Sequence, residues 1–122
     1  MKSQSLTAIL KQASKGLLFP SESDAPLEPF VWDKPDAPTP EALVEDAGME
    51  EGTPTETMTL PAFFRAIPKS EKPKFDALTK VLKENLTGIQ VHKIGEVNLK
   101  VYILGKTRDG QWAGLTTEVV ET

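Results

Sequence analysis

Apolar residues near the start of the chain recur with the period of an α-helix. Those that share one helical face, at spacings of three and four, are Leu6, Ile9, Leu10, Ala13 and Leu17. Ser3 or Ser5 can cap the start of this helix, and Gly16 stands where a left-handed residue often ends one. The pattern predicts a helix over residues 4–15, after which residues 17–19 return to the core.

The middle of the chain alternates short extended segments with short helical ones. EPFVW, residues 28–32, is aromatic and β-branched, and this composition predicts a strand. TPE at 39–41 has the order of a helix start, with a cap, a proline and an acid, and Gly48 would end that helix. Residues 58–60 predict a second short strand, and PAFFRAI at 61–67 predicts one or two helical turns that bury its two phenylalanines.

The last third of the chain changes from a helical period to a strand period. Apolar side chains over residues 75–86 recur at helical spacing and stop before Gly88, which predicts an amphipathic helix. Residues 88–95 predict a strand, and apolar residues alternate over 97–103 in a second strand. TRDGQ at 107–111 contains the Asp-Gly pair typical of a tight hairpin, so a third strand follows it.

This order of elements predicts a single domain over residues 1–122. We expect an α/β (α+β) fold in which helices pack on one or both faces of a central mixed or antiparallel sheet.

Composition excludes several classes of site. The chain has no cysteine and one histidine, so disulfides, thiolate catalysis and thiolate zinc sites are excluded and a histidine-based metal site is not expected. The apolar residues near the N-terminus are interrupted by lysine and glutamine, and no segment is long enough to span a bilayer. We therefore expect a soluble, cytoplasmic protein with no membrane partner, no cofactor and no metal of its own.

The net charge of −4 is unevenly distributed. Residues 20–60 hold eleven Asp or Glu and one Lys, a balance of −10, whereas the rest of the chain holds thirteen Lys or Arg and seven acids, a balance of +6. An acidic segment disfavours nucleic acid as its direct ligand and suits a partner with a basic surface. The alternative is that these acids are simply solvated and keep the protein soluble.

A run of three apolar residues leads directly into the polar segment Ser21, Glu22, Ser23 and Asp24. The two carboxylates could in principle form an acid/base pair, although they lie two residues apart in a loop and nothing in the sequence marks their pKa values as shifted. The alternative is a local turn formed by one of the serines, with solvated acids. The turn with solvated acids is the favoured interpretation, so an enzyme is not expected.

The end of the chain offers a second polar group. The last strand can continue through residues 119–120, which leaves Glu121, Thr122 and the terminal carboxylate beyond it. Oxygen groups held this close to a strand would lose little ordering entropy on binding a partner. The alternative is a frayed tail, which is common at chain ends.

Four other side chains have expectations of their own. His92 lies in an alternating strand, where a single histidine is more often a surface or boundary residue than a ligand. Tyr102 and Trp112 are expected to pack as a cross-strand pair. Trp32, at a strand end, is either a core residue or a partly exposed interface anchor.

Three segments together resemble the nuclease A inhibitor family. They are ILKQASKGLLFPSESDAPLEPFVW at 9–32, the Phe-Phe pair at 63–64 with the amphipathic helix after it, and QVHKIGEVNLKVYILGKTRDGQWAGLTTEVVET at 90–122. The resemblance covers nearly the whole chain. It implies an α/β/α sandwich similar to plant pathogenesis-related proteins.

The resemblance also implies a partner and a site. Proteins of this family inhibit a magnesium-dependent nuclease that cuts DNA and RNA without sequence preference. The motifs carry the binding role over to Glu22, which would engage basic catalytic groups, and to Thr122, which would approach the partner's magnesium through its water shell. The neighbouring Ser21, Ser23, Asp24 and Glu121 would complete the partner-binding surface.

One departure from the family keeps a second hypothesis open. The segment RAIPKSEKPK at 65–74 has no tryptophan, whereas the characterised inhibitor has one there that contacts the nuclease. The alternative function is therefore an interaction or adaptor domain, in stress or regulation, that keeps the scaffold without nuclease inhibition.

Overall fold

A computed structural model describes residues 2–19, 24–34 and 37–120, the first four of them by backbone alone. Within these residues the helices are α1 (Lys2–Ser14), α2 (Pro40–Asp46), α3 (Leu60–Phe64) and α4 (Lys72–Asn85). The strands are β1 (Leu18–Phe19), β2 (Ala25–Pro26), β3 (Glu28–Trp32), β4 (Thr55–Met58), β5 (Thr87–Ile94), β6 (Asn98–Lys106) and β7 (Trp112–Val120). The predicted order of elements is confirmed, and the short β1–β2 hairpin adds to it.

Five of the strands form one sheet in the order β3-β7-β6-β5-β4, and every neighbouring pair is antiparallel. The nine-residue strands β6 and β7 lie at its centre, joined by the predicted hairpin. Gly110 in that turn has φ +83°, a left-handed conformation that glycine adopts without steric cost. Because all four strand pairs are antiparallel, the sheet is antiparallel rather than mixed. This agrees with the α+β class that the sequence predicts.

Both faces of the sheet are buried, and β6 demonstrates this most clearly. Val101 and Ile103 point into one hydrophobic cluster, whereas Tyr102 and Leu104 point into another. Because side chains alternate along a strand, the two clusters lie on opposite faces of the sheet. All four side chains are at most 1% exposed.

The larger cluster combines α1, α3 and α4 with the sheet. Its centre is aromatic: the Phe19 ring stacks on Phe63 with centroids 4.3 Å apart and meets Phe75 edge-on at 6.5 Å. Such pairs contribute roughly 0.5–1.5 kcal/mol beyond the burial of their area. The residue that ends β1 is thus fixed to two helices.

The smaller cluster places α2 over the opposite face. Leu43 and Val44 of α2 pack with Trp32 and Ile94, so Trp32, at 4% exposed, is a core residue rather than an interface anchor. The hydroxyl of Tyr102 is hydrogen-bonded to Asp46, the last residue of α2.

Two short helices begin as the sequence predicts or close to it. Thr39 caps α2 by accepting a hydrogen bond from the Ala42 N–H, and Thr59 caps α3 in the same way from Ala62, each at 3.2 Å. A proline follows each cap in the first turn, where its missing N–H costs no hydrogen bond.

Several boundaries differ from the prediction. The predicted strand at 58–60 lies earlier, as β4, and Leu60 begins α3 instead. The amphipathic helix begins at Lys72, three residues before its first apolar side chain, and ends at Asn85.

Two apolar side chains expected in the core are exposed. Leu18 is 50% exposed because residues 18–19 form a strand, so Leu18 and Phe19 face opposite ways. Val97 is 49% exposed because it precedes β6 and belongs to the turn after β5.

The expected pairing of Tyr102 with Trp112 is wrong. Tyr102 lies opposite Thr116, and Trp112 lies between Lys106 and Trp32. The tight hairpin fixes this register, because its last pair, Lys106 with Trp112, closes directly around the turn.

Candidate partner-binding site

The polar segment that the sequence singles out is framed by the β1–β2 hairpin. Phe19 pairs with Ala25 and Leu18 with Pro26, so residues 20–24 connect the two strands. Leu17 and Leu27, just outside the hairpin, are 7% and 5% exposed and belong to the larger cluster. The base of the hairpin is therefore fixed to the core on both sides.

The hairpin lies against the second half of β7. Both β1 and β2 contact β7, and the hydroxyl of Thr117 donates to the carbonyl oxygen of Ala25 at 3.5 Å. Thr117 is 3% exposed and Ala25 is partly exposed, so this weak hydrogen bond is part-buried. β7 ends at Val120, three residues beyond Thr117.

On its other side, the end of β7 pairs with the start of β6. Asn98 lies opposite Val120, and Leu99 lies opposite Val119. The turn over residues 95–97 therefore leaves the sheet at the same end at which β7 finishes. The end of β7 is thus flanked by β2 on one side and by this turn on the other.

Five of the six predicted site residues, Ser21, Glu22, Ser23, Glu121 and Thr122, lie outside the described residues. Asp24, the sixth, is described and exposed, and it directly precedes β2. The described residues nearest to Glu22 and Thr122 are Asp24 and Val120. Asp24 directly precedes β2, Val120 ends β7, and these two strands are in contact. The roles of the six side chains stay predictions.

A groove of about 480 Å³ opens on the α2 face near the same end of the sheet. Its lining includes Phe30, Met49 and Val120 together with charges of both signs, from Asp46, Lys100 and Glu118. Because the charges are mixed, the groove favours neither an anion nor a cation.

The lining of this groove also includes Tyr102, whose hydroxyl has a raised pKa. Tyr102 is fully buried, and its hydroxyl donates to Oδ2 of Asp46 at 2.9 Å. Burial first, and then the hydrogen bond and charge of Asp46, raise the pKa of Tyr102 well above its usual value of 10. The neutral phenol is a structural donor that joins the sheet to α2.

The histidine is buried, whereas the sequence led us to expect a surface or boundary residue. His92 is 7% exposed, and a 3.1 Å hydrogen bond joins its Nδ1 to Oγ1 of Thr57 on β4. Burial lowers the pKa of His92 below its usual value of 6.5. A neutral, hydrogen-bonded imidazole between two strands is a structural group, and residues 2–19, 24–34 and 37–120 contain no cluster of three or more His, Asp or Glu that could hold a metal ion.

Sequence reasoning missed Thr117 and the turn at 95–97 as parts of this region. The sequence pattern placed Thr117 in an alternating strand, with no further role, and predicted a core position for Val97. Gly95 was the available signal for the turn, since a glycine between two strand patterns often marks one.

Comparison with known families gives one match. The family model described as nuclease A inhibitor-like protein matches residues 4–122. No curated protein matches the chain significantly. In the described part of the chain, no helix has the length and apolar character needed to cross a membrane.

Proposed function

Because the chain belongs to the nuclease A inhibitor-like protein family, we propose that it inhibits a non-specific, magnesium-dependent endonuclease of DNA and RNA by occupying its active site. Glu22 and Thr122 are the two principal contacts. The carboxylate of Glu22 binds cationic groups in the nuclease, and oxygen groups of Thr122 approach the magnesium ion through its bound water.

The observation that carries this proposal is the contact of the β1–β2 hairpin with the end of β7. Glu22 is two residues from Asp24, and Thr122 is two residues from Val120. Two residues of extended chain span at most about 7 Å, so each proposed contact belongs to a segment that starts near this junction. The junction itself is tied by Thr117 and Ala25.

The chemistry of a nuclease active site supports the two roles. Such a site is built for phosphate, with cationic donors and a magnesium ion that prefers oxygen ligands and keeps several waters. A carboxylate satisfies the same cationic donors as a phosphate oxygen, and it does so with strong charge-assisted hydrogen bonds. Thr122 supplies a hydroxyl oxygen, the type of group that the bound water of magnesium accepts as a hydrogen-bond partner.

The surrounding polar residues have a supporting role in the proposal. Ser21, Ser23, Asp24 and Glu121 line the contact, and the balance of −10 over residues 20–60 attracts the protein to a basic cleft. Such attraction raises the rate of association and makes it sensitive to salt.

The proposal has consequences for the rest of the molecule. The protein acts by binding, without catalytic activity, cofactor or direct nucleic-acid contact, and it works in the cytoplasm. We infer that α1, α3 and α4 on one face and α2 on the other are the outer layers of an α/β/α sandwich, since they belong to the two opposite hydrophobic clusters. The likeness to plant pathogenesis-related proteins stays a prediction.

The test is a titration of the purified endonuclease of this class from the same genome. Wild type should abolish cleavage of DNA at a stoichiometric ratio, whereas Glu22→Gln and deletion of Thr122 should each weaken inhibition at least about tenfold, as loss of a buried charge contact does. Glu84→Gln is the matched control. Glu84 is exposed on α4 and lies two residues before Leu86, which packs beside Gly105 at the opposite end of the sheet.

Two results would overturn different parts of the proposal. Cleavage that continues at a micromolar excess of wild type would refute inhibition and favour the adaptor function. Inhibition by both variants at the potency of wild type would leave the function standing and refute the two contacts.

A further inference from the structure

Val97 is an apolar side chain without a place in either hydrophobic cluster. It is 49% exposed and is one of four large hydrophobic residues that are exposed in the described part of the chain. A single exposed valine is ordinary on a protein surface, so its position has to carry the argument.

The turn that presents Val97 is held in one conformation. The N–H of Gly95 donates to the carbonyl oxygen of Pro54 at 2.9 Å, which ties the turn to the residue before β4. Gly95 has φ +126°, and a Cβ there would lie 2.6 Å from the carbonyl oxygen of Asn98. The turn therefore requires glycine, and it reaches a partner without losing much conformational freedom.

The turn also lies beside Val120, the last residue of β7. Asn98, the residue after Val97, pairs with Val120. Neighbouring strands are about 4.8 Å apart, so the turn lies about one strand spacing from the end of β7. A partner bound at the end of β7 is therefore close to the turn.

Charge agrees with a basic partner. Glu96 is exposed and directly precedes Val97, and the described residues place no ion pair on it. The turn thus presents one carboxylate and one apolar side chain together. A carboxylate at the edge of a basic cleft favours association, and a valine beside it excludes water from the contact.

We propose that the β5–β6 turn, through Val97 and Glu96, is a third contact with the nuclease, alongside the hairpin loop and the chain end. This inference rests on the proposed function. In this contact, Val97 packs against an apolar group of the nuclease and Glu96 binds a neighbouring cationic group. Both groups lie outside the active site of the nuclease.

The test compares two exposed valines that carry the same substitution. Val97→Lys introduces a cation beside a basic cleft and should weaken inhibition of the magnesium-dependent endonuclease at least tenfold. Val31→Lys is the control, because Val31 is 38% exposed on β3 and pairs with Ala113 at the opposite end of β7. It should change inhibition less than twofold.

A milder substitution guards against misfolding of the turn. Val97→Thr keeps the branched shape and should weaken inhibition about threefold, while Glu96→Gln should slow association more than it speeds dissociation. Both variants should keep the thermal midpoint of wild type.

The outcomes separate this inference from the proposed function. If wild type inhibits, and Val97→Lys inhibits as well as Val31→Lys, the turn is not a contact and only this inference is wrong. If wild type fails to inhibit, the proposed function is wrong and the inference fails with it. Protection of the amides of residues 95–98 from hydrogen exchange in the complex would support the contact independently.

Discussion

The hydroxyl of Tyr102, at the centre of the sheet, donates to the carboxylate of Asp46 at the last turn of α2, 2.9 Å away. Residues 56 positions apart are thereby joined, and a seven-residue helix is fixed to the sheet at its C-terminal end. Helices this short are not stable by themselves, so their position depends on such contacts.

Tyr102→Phe removes this hydrogen bond without removing the ring. We expect a loss of about 1 kcal/mol in the free energy of unfolding, measured by urea denaturation, because the ring still packs against Phe30. Asp46→Asn keeps an acceptor for the hydroxyl and should lose less. A Tyr102→Phe protein as stable as wild type would show that the bond contributes nothing to stability.

The buried histidine predicts how stability depends on pH. Burial holds the pKa of His92 below 6.5 in the folded protein. As the pH falls below 6.5, the histidine therefore becomes protonated in the unfolded chain before it does in the folded protein. Stability from this group is therefore full above pH 6.5 and falls as the pH drops below it, by at most about 1.4 kcal/mol per pH unit. The measurement is urea denaturation at several values between pH 7 and pH 5.

The matched variant for this prediction is His92→Gln, which cannot titrate. Its stability should fall less than that of wild type over the same range, since carboxylates titrate mainly below about pH 5. Because His92 is the only histidine, its ring signals in a nuclear magnetic resonance titration are unambiguous. An apparent pKa at or above 6.5 would contradict the prediction.

The local pattern was enough to predict the regular elements. The alternation over residues 97–103 and the Asp-Gly turn specify a hairpin, and β6 and β7 confirm it. The same pattern could not tell whether the second face of β5 was covered. His92 is buried because α2, from another part of the chain, packs on that face, which is a tertiary effect.

The candidate region was predictable only in part. Residues 20–24 were recognisable as a polar segment after an apolar run, and motif resemblance, rather than any physical pattern, connected them with the chain end. The contact between Thr117 and Ala25 joins residues 92 positions apart. No period or turn signal specifies such a pairing, because it depends on how the hairpin packs against the finished sheet.

At Gly114 of β7 the backbone of β6 leaves no room for a side chain. A Cβ at this position would overlap the carbonyl oxygen of Ile103 and lie 2.8 Å from its carbonyl carbon. Because the atoms that an added Cβ would meet belong to backbone at the centre of the sheet, Gly114→Ala should cost about 3 kcal/mol in the free energy of unfolding.

The control for this prediction is Gly110→Ala in the hairpin turn. Gly110 has φ +83°, but the nearest atom to an added Cβ is Cε of Lys106, 4.0 Å away. That variant should lose only about 1–2 kcal/mol, from the strained φ. If the two variants unfold at the same urea concentration, the approach at Gly114 is less tight than its geometry indicates.

Thr117→Val tests whether the tie between the hairpin and β7 serves the proposed function. Valine has nearly the shape of threonine, so the buried site stays filled and only the hydrogen bond to Ala25 is lost. At 3.5 Å this bond is weak, and we expect the free energy of unfolding to fall by less than about 1 kcal/mol. Thr116→Val is the matched control, since Thr116 is also buried but faces the other side of the sheet.

If the hydrogen bond between Thr117 and Ala25 holds the loop with Glu22 in position for the nuclease, Thr117→Val should weaken inhibition several-fold and Thr116→Val should not. Equal inhibition by both variants would mean that the hairpin is positioned by its hydrophobic base alone.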